Sequence, residues 1–173
     1  MPHPSGSFPH VYAIALGSNQ PRSRRLTPRK LVEQAIEAFS RPPFRLIARS
    51  PLWETPPVGP SLRRYANAAL LVETAGHAPD AMLKRMKAME RVAGRRTRQR
   101  WGARPLDLDI ILWNGGAWAS PGLVIPHTAF RQRDFVLLPL NHIASNWRDP
   151  ISGHSIAHLL ARLKKPKKLR KCG

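Results

Sequence analysis

Apolar positions recur along the chain in short blocks whose spacing switches between the strand and helix periods. Residues 11–16 form a compact apolar run closed by Gly17-Ser18-Asn19, which predicts a buried strand followed by a turn. Over 28–39, Leu31, Ala35, Ile36 and Phe39 fall on one helical face, with Thr27 placed to cap the first turn and Pro28 at the first helical position. Residues 44–50 alternate weakly, as a strand would. The stretch 51–64, including Thr55-Pro56-Pro57-Val58-Gly59-Pro60, is too dense in proline and glycine for regular structure and predicts a stiff loop of the kind that carries function. A strand is predicted over 65–73, a helix over 79–93 with Gly94 at its stop, and a further strand over 106–113. Residues 121–133 read as irregular, 135–143 as apolar without a decided period, and 155–163 as a final helix. There is no internal repeat.

Strand, helix, strand, then strand, helix, strand is the order of an α+β fold, a ferredoxin-like βαββαβ sandwich with helices on one sheet face and additional C-terminal elements. With 173 residues, 42% of them apolar, the chain suits one domain with a sizeable core. The expected organisation is a disordered leader over 1–10, a single domain over 11–163 and a basic tail over 164–173. Cys172 stands alone, which excludes an internal disulfide and any cysteine-built metal cage. The longest apolar runs fall far short of the roughly 20 residues of a membrane span, so the expectation is a cytoplasmic protein with no membrane partner.

Charge narrows the partners. Lys and Arg number 29 against 10 Asp and Glu, a net +19, and a field of that sign attracts anions. Six of those cations lie in the last ten positions: Lys164, Lys165, Lys167, Lys168, Arg170 and Lys171. That tail reads as a solvated end, with non-specific contact to nucleic acid or an acidic membrane as the alternative. Without it the surplus is still +13, so the interior cations need their own explanation.

The candidate chemistry starts at Leu106-Asp107-Leu108-Asp109-Ile110, where a period of two sends both aspartates to one face of a strand and the apolar residues to the other. Their Cα atoms would lie about 6.6 Å apart, close enough for the carboxylates to bridge metal ions about 3.5–4 Å apart. An oxygen-only site of this kind suits Mg²⁺; the alternative is a merely hydrated acidic face. On the preceding helix, Glu90 falls in the stripe of Met82, Leu83, Met86 and Met89, which sets a carboxylate inward. Its burial costs several kcal/mol unless it is paired or bound. Pairing with Arg95 or Arg98 and a role in the site both fit.

Arg91, Arg95, Arg96, Arg98, Arg100 and Arg104 surround Trp101-Gly102 and lead into the aspartate strand. Guanidinium forks match phosphate oxygens and never lose their charge, so arginines beside carboxylate-held Mg²⁺ form a phosphoryl-transfer toolkit. Neither a Walker A loop nor a kinase glycine-rich loop is present. Trp101, Tyr65 and Phe135 could enclose a flat heterocycle, or simply be core; Asn67, two residues after Tyr65 on the same strand face, could read the donors and acceptors of such a ring.

Taken together, residues 13–19, 55–60, 65–68, 100–110 and Pro126-His127 through 133–140 resemble the 6-hydroxymethyl-7,8-dihydropterin pyrophosphokinase family, in order and at similar spacing. The resemblance implies a Mg²⁺-dependent folate-pathway enzyme, usually monomeric, that moves pyrophosphate from ATP to the reduced pterin and releases AMP. It implies that Asp107 and Asp109 hold two Mg²⁺ ions, and that Arg95 and Arg104 grip the triphosphate and the migrating group as catalytic residues. Glu90, Arg100, Ile110, His127 and Arg133 would complete the ATP site. Thr55, Pro57, Val58, Tyr65, Asn67, Trp101 and Phe135 would line the pterin pocket. Ala103 and Gly122 depart from the family's usual Pro and basic residue at those places. The competing reading is a basic nucleic-acid-binding protein on the same fold without catalysis.

Overall fold

The computed structural model describes residues 9–55, 64–94 and 105–165. Its elements, in chain order, are β1 (His10–Ser18), α1 (Pro28–Phe39), β2 (Arg45–Arg49), β3 (Trp53–Thr55), β4 (Tyr65–Thr74), α2 (Pro79–Val92), β5 (Asp107–Trp113), β6 (Trp118–Ser120), β7 (Leu123–Ile125), α3 (Asp134–Ala144) and α4 (Ile156–Lys164). One 3₁₀ turn, Phe130–Gln132, precedes α3. Strands β2, β4, β1 and β5 lie side by side in that order, every neighbour antiparallel, with β3 also paired to β4. This is a mixed α and β fold around one antiparallel main sheet.

The sheet separates two cores, because alternation along β1 sends different residue sizes to its two faces. Tyr12, Ile14 and Leu16 join Leu70, Val72, Leu108 and Ile110 under α1 and α2. On the other face the β1 positions are Ala13 and Ala15, and α3 and α4 pack there through Val136, Leu137, Leu140, Ile156, Leu159 and Leu160. Helices therefore cover both faces, where the sequence led us to expect one. The undecided apolar run 135–143 is the helix that does this, with Pro139 buried inside it. Periodicity could not choose between strand and helix there; the uncovered sheet face does.

Local signals set most boundaries as expected. The Thr27 hydroxyl accepts from the Lys30 amide at 3.3 Å, with Pro28 opening α1. Ser155 caps α4 in the same way, accepting from the His158 amide. Three expectations need correction. The turn expected at Gly17-Ser18 is strand, because both residues pair with β4. Trp53–Thr55, expected as loop, is strand on β4, and Ser50 bridges the gap between β2 and β3: its N–H donates to the Ala69 carbonyl and its hydroxyl accepts from the Ala69 N–H, both at 2.9 Å. Residues 121–133 are not wholly irregular, since β6 and β7 form a hairpin across Pro121-Gly122, where Gly122 takes φ +83°. A Pro-Gly pair between two apolar triplets is the turn signal that announces it.

The chain beyond α3 is fastened by Asp149, a buried carboxylate. Arg131 donates to it through two nitrogens at 2.7 Å, and Ile151 N–H, Ser152 N–H and the Ser152 hydroxyl add three more bonds. Burial pushes its pKa up, but Arg131, Ser152 and the Ile151 amide outweigh burial and hold it down to about 2. The native state therefore gains stability from this group above its unfolded pKa of about 3.9 and loses it as pH falls toward the folded value. Asp149→Ala is expected to cost roughly 3 kcal/mol or more in urea unfolding; a loss under about 1 kcal/mol would contradict the assignment. With Asp149→Asn, the fall in stability between about pH 4 and pH 2 should flatten relative to the unsubstituted chain.

Candidate active site

Register builds the floor of the site. Asp107 on β5 stands opposite Gly17 on β1, Gly17 opposite Asn67 on β4, and Asn67 opposite Trp53 on β3. Asp109, Ala15 and Ala69 form the next row. Both aspartates are half-buried while Leu108 and Ile110 are buried on the other face, so the period-two expectation holds. After Ile110 an extra residue, Ile111, is inserted against Ala13-Ile14, a bulge that turns the end of the strand.

Gly17 matters here because of what it lacks. A Cβ on it would lie 3.4 Å from the Asn67 Oδ1, in van der Waals contact, so a side chain there would cover the backbone beside the amide. Asn67 is itself fixed, its Nδ2 donating to the Thr55 Oγ1 at 2.7 Å. Tyr65 pairs with Thr55 on the same face, half-buried. Two strand spacings separate the Asn67 and Asp107 positions, about 10 Å. The floor thus has carboxylates at one side, a buried amide at the other, and open backbone between.

His127 and Arg133 form a wall. The His127 N–H donates to the Ile111 carbonyl at 3.1 Å, so the bulge in β5 holds the histidine's backbone. Its Nδ1 accepts from the Ala129 N–H at 3.2 Å; in the neutral ring the proton is then on Nε2, which faces Asp109 Oδ2 at 3.8 Å. Burial raises the Asp109 pKa and the neighbouring Asp107 raises it further, against the charges of His127, Lys87 and Arg133. Burial lowers that of His127, opposed by Asp109 and aided by Arg133. A half-buried pair of like charges is unfavourable by itself and is relieved by a bound cation. Arg133 caps α3 and lies over the Phe135 ring, 5.8 Å from its centre.

Glu90 is fully buried, as its place in the α2 stripe predicts. Its Oε1 accepts the Leu108 N–H at 2.9 Å, and Lys87 donates to both its oxygens at 3.0 and 3.3 Å. Leu108 sits between the two aspartates on β5, the outermost strand of the sheet, so this carboxylate caps the strand's open edge where the site is built. Ile110 is buried in the core under α1 and α2. Arg95, Arg100, Arg104, Trp101, Pro57 and Val58 lie outside the described residues. The described part thus brings together Asp107, Asp109, His127, Arg133, Phe135, Asn67, Thr55 and Tyr65. Sequence reasoning missed Gly17, Lys87 and Trp53. Lys87, one turn before an inward glutamate, was detectable as its partner; Trp53 was hidden by the surrounding prolines.

Residues 13–145 match the sequence family described as 7,8-dihydro-6-hydroxymethylpterin-pyrophosphokinase (HPPK). The chain belongs to that family. A Pseudomonas aeruginosa protein named 2-amino-4-hydroxy-6-hydroxymethyldihydropteridine pyrophosphokinase is 39% identical over 150 residues, 86% of this chain and 88% of its own. The Haemophilus influenzae protein of the same name is 36% identical over 135 residues, 77% of this chain and 81% of its own. In fold, the HPPK chain superposes on a Plasmodium falciparum HPPK-DHPS crystal structure with a TM-score of 0.70 at 14% identity, over 92% of this chain and 46% of the longer one.

In this HPPK chain, Glu90→Ala removes the acceptor from a buried amide and is expected to cost about 2–3 kcal/mol and to speed hydrogen exchange at the Leu108 amide. Glu90→Gln keeps a carbonyl oxygen and should retain most of that protection. Unchanged exchange at Leu108 in the alanine variant would show that the bond does not hold the strand.

Proposed function

We propose that this chain transfers the β,γ-pyrophosphoryl group of ATP to the hydroxymethyl oxygen of 6-hydroxymethyl-7,8-dihydropterin, releasing AMP, in folate biosynthesis. The bond formed joins the substrate oxygen to the β-phosphorus; the bond broken joins that phosphorus to the α,β-bridging oxygen, which leaves with AMP. One observation carries the reading: paired aspartates and a fixed amide share a face, with the bare backbone of Gly17 between them. An anionic centre for phosphate-bound cations and a polar reader for a ring are thereby set at adjoining ends of one floor.

The donor set suits Mg²⁺. Among the described residues no three His, Cys, Asp or Glu side chains converge as a closed metal cage. Two carboxylates leave the other coordination positions to phosphate oxygens and water, which is the pattern Mg²⁺ takes in nucleotide sites. When bound, two such ions at Asp107 and Asp109 would neutralise the triphosphate charge that repels the attacking oxygen. His127 Nε2–H and the Arg133 guanidinium donate to phosphate oxygens from the wall, and Arg95, Arg100 and Arg104 act on the same groups. Ile110 contributes through its backbone: its amide is two residues from that of Leu108 and so faces the same open edge of β5, where an adenine edge can pair with it. Glu90 acts as a positioning residue for the aspartates rather than as a phosphate contact, since a carboxylate repels phosphate.

Asn67 and Thr55 read the pterin edge, with Tyr65, Phe135, Pro57, Val58 and Trp101 around the ring. The strand order β2-β4-β1-β5 supports a ferredoxin-like description in which β3 is an added edge segment. Residues 11–163, with His10 opening β1 and Lys164 closing α4, form one catalytic unit acting as a monomer; the leader expected over 1–10 therefore ends before His10, which is strand. Among the described residues no helix is long and apolar enough to cross a membrane, which supports a cytoplasmic enzyme.

The test is AMP release from ATP with and without the reduced pterin. Release should require both the pterin and Mg²⁺, and Asp107→Ala and Asp109→Ala should each lower turnover at least a hundredfold, on the order expected when a charge-stabilising group is lost, while thermal unfolding stays cooperative. AMP formed equally without the pterin, or near-normal rates in either variant, would overturn the reading.

A further inference from the structure

The site uses cations near the sheet floor, but another basic group is assembled elsewhere. Asp149 is the last acidic residue of the sequence; residues 150–173 contain seven Lys and Arg and two His. Helix α4 buries Ile156, Leu159 and Leu160 against the second core. That leaves His158, Arg162, Lys164 and Lys165 exposed. His154, His158 and Arg162 follow one another at intervals of four, which places them along one stripe of the helix and the turn before it.

Contacts draw this stripe together. The His154 and His158 rings lie 4.8 Å apart between centres, and Arg162 Nη1 approaches His154 Nε2 at 2.5 Å. Arg148 is held beside them, its Nη1 donating to the Gly153 carbonyl at 2.8 Å. The turn that carries Gly153 and His154 is itself fixed by Asp149, whose carbonyl accepts from the Gly153 N–H at 2.8 Å and whose N–H donates to the His154 carbonyl at 2.9 Å. Among the described residues none of these four side chains pairs with a carboxylate. Some exposed arginines elsewhere find acids, Arg29 with Glu33, Arg41 with Glu37 and Arg45 with Glu73; what sets this group apart is its gathering along one stripe. In the contact between Arg162 and His154 the guanidinium donates and Nε2 accepts, so the fixed charges are Arg148, Arg162 and the two lysines, with the imidazoles as polar groups between them. Guanidinium and ammonium groups held on a turn and helix without a counter-charge are matched by an external row of anions.

We propose that this face of α4 and its preceding turn, formed by Arg148, His154, His158, Arg162, Lys164 and Lys165, is a docking surface for the phosphate backbone of nucleic acid, bound without sequence preference. The repeat of one helical turn, about 5.4 Å, is near the phosphate spacing of an extended strand, and a linear row of cations suits a linear polyanion. Neither the pterin reaction nor the aspartate floor requires any of these residues.

The test is fluorescence anisotropy of a labelled single-stranded oligonucleotide titrated with the full chain at several salt concentrations. Binding at about micromolar affinity is expected at moderate salt, falling steeply as salt rises. Arg148→Glu with Arg162→Glu should weaken it at least tenfold. Because two cations then no longer neutralise phosphates, the salt slope should also fall by about 1.4, while AMP formation and the melting temperature stay near those of the parent. His158→Glu with Arg162→Glu, which leaves the Gly153 contact intact, should weaken binding similarly. Saturating Mg²⁺ and ATP should displace the oligonucleotide no more than a MgCl₂ and NaCl control of equal free Mg²⁺ and ionic strength. The proposal is overturned by absent binding, by binding that both double variants leave unchanged, by displacement with Mg²⁺ and ATP beyond that of the matched salt control, which would locate the contact in the catalytic cleft, or by tighter binding to phosphatidylserine vesicles at the same total charge.

Discussion

Two like charges fixed side by side on the outermost strand of a sheet are the constraint on which the rest of the molecule turns. Asp107 and Asp109 are half-buried, and burial together with the neighbouring Asp107 works against the ionised state of Asp109. Left to itself such an edge would relax, by strand slippage or by turning the side chains outward. The fold opposes each escape. Pairing with β1 fixes the register on one side. The Glu90 carboxylate takes the Leu108 amide on the other. A slip by one residue would exchange Leu108 and Ile110 for the aspartates in the α1 and α2 core, an exchange that desolvation forbids.

The second face of the sheet converts this constraint into a site. Alanines at positions 13 and 15 allow α3 and α4 to pack closely at one end, and Gly17 leaves the other end bare. The bulge at Ile111 lies between these regions and receives the His127 backbone. Arg133 follows at the start of α3. The segment leading into the helix that closes the core thus also delivers a histidine and a cation to the aspartate end of the floor. Packing and chemistry are joined in one segment, and Asp149 with Arg131 ties that segment to α4.

Much of this was legible from residue order. Alternation placed both aspartates on one face, the α2 stripe placed Glu90 inward, and Thr27 with Pro28 marked the start of α1. What escaped had a physical reason in each case. One of Glu90's partners is the Leu108 backbone amide, which no side-chain pattern reveals. The role of Gly17 depends on Asn67, fifty positions later, being its neighbour across the sheet. Residues 135–143 are apolar on nearly every side because they are buried between α4 and the sheet, so their period carries little information. Trp53–Thr55 is too short and too close to prolines to read as strand; only the free edge of β4 makes it one.

The charge surplus separates into different uses once acids are traced to their partners. With ten carboxylates available, this chain places several on helix and strand surfaces opposite single arginines, buries two as fasteners in Glu90 and Asp149, and sets two in the floor. None of them falls after Asp149. A surface neutralised on average would have interspersed acids along α4, where exposed positions such as Ala157 and Ala161 are open to either sign. Instead the buried carboxylate of Asp149 organises a turn whose outward ionisable groups are all basic, so the residue that stabilises this end of the fold also sets the geometry of its positive face. Gathering Arg148 and Arg162 at one turn is the cost of that arrangement, carried by a carboxylate knot beneath it and by the Gly153 carbonyl and His154 ring that accept from them rather than by counter-charges on the surface.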